Sequence, residues 1–159
     1  MAYVVSMETI SATPASLKSH LGFWLRFVSN HVSGNFAAKL EEVGISVAEW
    51  VALRELHDGE LPPSALASRL GMTRGAITKL AGRLIRRKLI RRRADVADGR
   101  GQFLTLLPAG KALIPKLAAL ADRNDAEYFS FLGKAERTQL ERILKDIVRH
   151  HRLSQVPLD

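Results

Sequence analysis

Ser64-Ala-Leu-Ala-Ser-Arg-Leu-Gly71-Met-Thr73-Arg-Gly-Ala-Ile-Thr-Lys-Leu-Ala-Gly-Arg-Leu-Ile-Arg86-Arg-Lys88 contains two short helical patterns separated by a turn. Leu66, Ala67 and Leu70 share one face of the first pattern, and Gly71 supplies its stop. Thr73 is placed to cap the second, which runs to about Lys88 with Ile77, Leu80, Ala81 and Leu84 as its buried stripe. Two helices joined by a short glycine-containing turn have the shape of a helix-turn-helix. Two packed core helices with no partner would carry the same spacing. The second helix's other face helps to decide. It presents Arg74, Gly75, Thr78, Lys79, Gly82, Arg83 and Arg86, without an acidic or large apolar side chain. Arg and Lys suit guanine edges or phosphates, and Thr suits phosphates or a thymine methyl. Gly75 and Gly82 fall on the same side. Either close approach of the helix backbone to DNA or plain tolerance of glycine on a solvated face accounts for them.

After Leu89-Ile90, the segment Arg91 to Leu106 reads as two extended stretches about a turn at Asp98-Gly99. A basic ribbon directly behind a reading helix is a wing. Arg100, near its tip, is placed to enter a minor groove, and Asp98 is a local partner that can orient it. Arg91 and Arg93 join the expected DNA-contacting set, Arg91 as a phosphate contact, and so does Thr73 beside its capping role.

Charge follows the same segment. From Arg69 to Arg100 eleven basic residues face only Asp95 and Asp98, a net +9, whereas the rest of the 159-residue chain sums to −1. A solvated basic surface would keep a protein soluble, but solubility does not require concentrating charge that repels itself. A phosphate-binding footprint is the preferred reading. The chain lacks cysteine, which excludes disulfides, thiolate metal sites and cysteine redox chemistry. No apolar run approaches the ~18 residues of a bilayer span, and the N-terminus has no secretory pattern. The positive excess would also suit an anionic membrane surface, but it sits on a helix-turn-helix rather than an amphipathic terminal helix, so no membrane partner is expected. The missing signal and a DNA partner make cytoplasmic residence the expectation.

Residues 1–15 read as a flexible arm. Leu17, Leu21, Trp24, Val28, Val32, Phe36, Leu40 and Val43 then mark one face of a long helix stopped by Gly44. Ser46 and Glu49 form a capping-box pattern opening a helix with Trp50, Leu53 and Leu56 inward. Asp58-Gly59 signals a turn and Pro62-Pro63 a helix start. Pro108-Ala-Gly110 opens another long helix containing Pro115, a site for a kink. Gly133 to Glu136 restarts a last helix whose stripe is Leu140, Ile143, Leu144, Ile147 and Val148. First and last segments with surplus apolar surface suggest a dimerisation layer. The expected architecture is mainly α with a small β-hairpin wing. A winged helix-turn-helix lobe spans 45–107, and helical dimerisation segments span 16–44 and 108–152.

These residues resemble the MarR (multiple antibiotic resistance regulator) family over about Leu21 to Val148. Gly44-Ile-Ser-Val-Ala-Glu-Trp-Val-Ala-Leu53 is similar to the family's second-helix signature, and Leu66-Ala67 with Leu70-Gly71 to its next helix. Ile77-Thr78 and Leu84 to Ile90 resemble its recognition helix, Asp98-Gly-Arg100 its wing motif, and Leu106 with Pro108-Ala-Gly110 the segment that follows. Lys88 departs from the glycine usual at the end of the recognition helix, and Leu107 from the usual threonine. The resemblance implies a homodimer reading an inverted-repeat operator in double-stranded DNA, with half-sites about ten base pairs apart. It also implies repression, relieved when a small aromatic or lipophilic anion binds between base and lobes. By helical phase His20, Trp24, Phe27, His31 and Trp50 are the residues to line such a pocket, although aromatic residues at this spacing are commonly plain core.

Catalytic residues, cofactors and a metal site are not expected. The Ser and Thr at helix starts are explained by capping, and no acid–base or nucleophile constellation appears. Adjacent His150 and His151 diverge on a helix, so a metal would need His20 or His31 brought to them in space. The rival function is an architectural or nonspecific DNA-binding protein without effector.

Overall fold

A computed structural model describes residues 14–154 and Leu158. The arm expected at 1–15 thus lies outside the described residues except for Pro14 and Ala15. The chain divides into two compact units, residues 1–31 and Val32–Asp159.

In the first unit a single 3-10 turn, Leu17–Ser19, is followed by His20 in extended conformation, and only then does α1 (Leu21–Glu42) begin. The expected helix from Leu17 is therefore broken at His20. Trp24 Nε1 donates to the Lys18 carbonyl at 2.9 Å, tying the turn to the helix.

The second unit contains the remainder of α1, then α2 (Val47–His57), α3 (Pro63–Leu70), α4 (Arg74–Arg86), β1 (Ile90–Ala94), β2 (Gln102–Leu106), α5 (Pro108–Phe129) and α6 (Lys134–His151). α2 opens with both halves of its capping box. The Ser46 hydroxyl accepts from Glu49 N at 3.1 Å, and the Glu49 carboxylate accepts from Ser46 N at 3.0 Å. Gly71 ends α3 in the left-handed region at φ 61°, where a Cβ would cost about 1–2 kcal/mol. Two residues later Thr73 Oγ1 accepts from Ala76 N at 3.2 Å and starts α4.

Ile77, Leu80, Ala81 and Leu84 of α4 are all buried, joined by Leu53 and Leu56 of α2, Leu66 and Leu70 of α3, and Ile114 and Leu117 of α5. The hairpin closes this core with Ile90, Leu104 and Leu106, in the antiparallel register Ile90↔Leu106 to Ala94↔Gln102. Leu61, not expected to pair, exchanges two backbone hydrogen bonds with Leu104 at 3.2 and 2.8 Å, adding a one-residue third strand.

α5 docks where backbone meets backbone. Leu107 N donates to the Leu89 carbonyl at 2.9 Å, and a Cβ on Gly110 would fall 2.2 Å from that same oxygen. Only glycine permits the approach. α5 continues through Pro115 to Phe129. Buried Asn124 fixes it to the second half of α1, donating to the Val32 carbonyl at 3.1 Å and accepting from Asn35 at 3.0 Å. α6 has no buried residue: Leu140, Ile143, Leu144, Ile147 and Val148 are 38–44% exposed.

Candidate nucleic-acid interface

With the apolar stripe of α4 turned into the core, helical periodicity alone puts the other side chains outside. Arg74, Gly75, Thr78, Lys79, Arg83 and Arg86 are exposed and Gly82 is half-buried. A Cβ at Gly75 would meet nothing within 4 Å, so packing within the chain does not require glycine there. Thr78 donates its hydroxyl to the Arg74 carbonyl at 2.9 Å, which leaves its methyl as the group for an outside partner. Thr73 Oγ1 is engaged as the α4 cap, and its hydroxyl proton is unused by that bond.

The carboxylates that touch the basic segment come from outside it. Arg69 Nη1 lies 2.7 Å from Glu55 Oε2. Buried Glu49 holds Arg83 Nε at 3.3 Å and Arg87 Nη1 at 3.6 Å, and Arg87 also donates to the Gly44 carbonyl at 2.6 Å. Arg93 is clamped by Glu60. Among the described residues, no carboxylate lies within ion-pair distance of Arg74, Lys79, Arg86, Arg91 or Arg100. Positive charge with uncommitted donors therefore concentrates on the outward face of α4 and along the wing.

The wing loop spans seven residues, 95–101, rather than a two-residue turn. Asp95 organises it: its carboxylate accepts from Ala97 N at 2.9 Å, its N–H donates to the Gly101 carbonyl, and its carbonyl accepts from Gly99 N. Asp98 supports the tip through its carbonyl, which accepts from Arg100 N. Among the described residues, no side-chain bond joins Asp98 to Arg100, so the local partner expected from the sequence acts by its backbone. The sequence reading missed Glu49 as a partner of Arg83, and it missed Glu55, Glu60 and Asp95. Only Glu49 carried a local signal, as the capping residue of α2. Glu55 and Glu60 meet arginines 14 and 33 residues away, a distance no spacing rule reaches.

Of the proposed effector residues, Trp24, Phe27 and His31 are exposed on α1 and run beside half-buried Phe23, which the sequence reading did not single out. Phe23 meets Trp24 edge-on at 5.1 Å, stacks on Phe27 at 5.9 Å, and Phe27 contacts His31 at 4.8 Å between centroids. His20 stands before this run at the break. Trp50 belongs to the second unit, half-buried, with Phe36 at 6.4 Å and Arg54 over its ring at 5.8 Å. An open hollow of about 310 Å³, lined by Phe129, Leu132, Arg137, Leu140 and Leu144 among others, shares no residue with that set. Among the described residues, no three His, Cys, Asp or Glu side chains are gathered to hold a metal ion, and no helix is long and apolar enough to cross a membrane.

The MarR family model matches residues 43–101, the segment from the end of α1 to the wing tip. The chain is 27% identical over 128 residues to the HTH-type transcriptional repressor MdtR of Bacillus subtilis, covering 80% of this chain and 83% of that one. Among solved structures, BpsR of Bordetella bronchiseptica, whose DNA binding is regulated by 6-hydroxynicotinic acid, superposes with a TM-score of 0.72 at 24% identity, over 85% of this chain and 97% of BpsR. A mutant MarR from E. coli, solved in complex with operator DNA, gives 0.69 at 23% identity, over 80% and 93%. The stretch from the end of α1 to the wing tip thus matches the MarR family, and the chain shares the winged helix-turn-helix fold of these solved structures, with a basic face exposed on α4.

Proposed function

We propose that this regulator is a homodimer that represses by occupying an inverted-repeat operator, with 45–107 as the DNA-binding lobe and 16–44 and 108–152 as the dimerising base. The observation that carries the proposal is the outward face of α4, where Arg74, Thr78 and Lys79 are exposed and, among the described residues, no carboxylate lies within ion-pair distance of the two cations. Arg74, Lys79 and Thr78 read base edges from the major groove. Thr73, Arg83, Arg86 and Arg91 hold phosphates, Gly75 lets the helix backbone come close, and Arg100 enters the minor groove. For Arg83, the Glu49 bond uses Nε and leaves the two η nitrogens to face a phosphate. The exposed apolar stripe of α6 is the surface that a second copy covers, and the place of action is the cytoplasm.

An effector is part of the same proposal: a small aromatic or lipophilic anion lowers DNA affinity by preferring the arrangement of lobes that does not fit the operator. The 6-hydroxynicotinic acid named for BpsR sets the chemical class to try first. His20, Trp24, Phe27, His31 and Trp50 are the residues nominated to meet it.

The test compares substitutions on operator and shuffled duplexes. Arg74→Ala or Lys79→Ala relaxes sequence preference at a cost of about 1–3 kcal/mol on the operator. Arg91→Ala weakens every duplex alike and lowers the salt slope by about one. An architectural protein would instead show equal losses on both duplexes for all three variants.

A further inference from the structure

Two arginines on the same face of β1 have opposite surroundings. Arg91, paired in register with Thr105, has no carboxylate within ion-pair distance among the described residues. Arg93, two residues on and opposite Phe103, has every guanidinium nitrogen engaged. Nε donates to Glu60 Oε2 at 2.9 Å, Nη2 donates to Glu60 Oε1, and Nη1 donates to the Ala94 carbonyl at 3.0 Å. The group also lies over the Phe103 ring, 5.4 Å from its centroid. A phosphate can take that fork only by displacing a carboxylate already bound to it in the same two-pronged manner.

Glu60 is well placed to do more than neutralise. It precedes Leu61, whose backbone pairs with Leu104, so two adjacent residues grip β2 by main chain and β1 by side chain. Their grip falls on the third and fourth of the five rungs, Arg92↔Leu104 and Arg93↔Phe103, one pair short of Ala94↔Gln102 and the loop that carries Arg100. Beyond it the loop is held only by its own bonds around Asp95 and Asp98 among the described residues.

We propose that Arg93 is a positioning residue for DNA binding: clamped by Glu60, it fixes the wing on the body so that Arg100 reaches its groove, and it makes no phosphate contact itself. The inference rests on the operator-binding reading given above and removes Arg93 from the contacts expected from sequence. Arg93 supplied charge to the sequence tally, but in the fold its charge is spent inside the protein.

The test uses full-length protein, the duplex enriched from a random pool, and a shuffled duplex of equal length, each titrated over a range of salt. Glu60→Gln and Arg93→Ala each lower operator affinity about tenfold, the scale of one lost groove contact, while shuffled-duplex affinity and both salt slopes stay within error of wild type. Arg93→Lys fails to restore binding, because an ammonium cannot form the fork. The exchanged pair Glu60→Arg with Arg93→Glu recovers operator affinity. In an Arg100→Ala background Glu60→Gln adds no further loss, which a general loss of stability would not reproduce.

A phosphate contact at Arg93 predicts the reverse. Glu60→Gln would tighten binding to both duplexes, Arg93→Ala would reduce the slope by about one, and the exchanged pair would bind worse than Arg93→Ala. Any of these overturns the inference. Should wild type prefer no sequence, the operator reading fails by itself. The Arg93→Ala slope then decides alone: unchanged upholds the clamp, and a drop refutes it.

Discussion

Arg83 on α4 points its Nε at Oε1 of Glu49, 3.3 Å away, and Glu49 is only 5% exposed at the start of α2. The carboxylate that closes the α2 cap therefore also braces α4. It holds Arg87 as well, and through Arg87 the Gly44 carbonyl at the end of α1. One side chain thus joins three helix ends.

Glu49→Ala removes half of a capping box and leaves two arginines without their carboxylate. The expected cost is about 2 kcal/mol, from roughly 0.5–2 for the cap plus an ion-pair loss reduced by the exposure of both arginines. Glu49→Gln costs less, since its amide oxygen still accepts from Ser46 N. Urea unfolding midpoints measure both, and an alanine variant as stable as wild type would show that Glu49 braces nothing.

Lys88 sits at φ 57°, a left-handed conformation that a side chain disfavours by about 1–2 kcal/mol. Lys88→Gly relieves this at the cost of a more flexible unfolded chain, for a net gain of about 0.5–1 kcal/mol. A higher midpoint in urea with an unchanged slope is the expected result. A lower one would mean that the lysine contributes more than its backbone costs.

Glu127 accepts from Lys39 Nζ at 2.7 Å and from Asn35 at 2.9 Å, bridging α5 to the second half of α1. The Lys39 bond foremost, then that from Asn35, holds its carboxyl below the ordinary 4.5. A depressed carboxylate adds stability that is present above its unfolded value and lost as pH falls through the folded one. Wild type should therefore lose stability below about pH 4.5 more steeply than Glu127→Gln, which has no proton to gain there. Parallel acid limbs in the two unfolding profiles would contradict the bridge.

Leu144 lies in the middle of the exposed α6 stripe, 41% exposed. Leu144→Lys leaves the lobe's core untouched and places a charge where a second copy should pack. For the proposed homodimer, sedimentation should show this variant as monomers at concentrations where wild type pairs, with operator affinity falling at least about tenfold as one of the two half-site contacts is lost. A variant sedimenting like wild type would exclude α6 from the interface.

Much of the lobe was legible because its determinants are local. Ser46 with Glu49, Gly71 and Thr73 each act within four residues of themselves, and the α4 stripe follows from helical period alone. The two departures from the family pattern also proved to be structural positions. Lys88 occupies the left-handed residue after α4, and Leu107 precedes α5 with no side-chain cap. Apolar period could not reveal the break at His20, because Leu17 and Leu21 keep the phase of a continuous helix. Nor could it assign the arginines to partners. Arg74, Arg83 and Arg93 look alike along the chain, and only folding brings Glu49 and Glu60 beside two of them.

Selecting sequences from random duplexes with purified protein tests most directly whether the basic segment is a reading head shown twice by a symmetric pair. The account predicts enrichment of one inverted repeat with half-sites about ten base pairs apart, lost when Arg74 and Lys79 are both alanine. A pool that stays random after repeated rounds, while the protein still binds all of it, would contradict it.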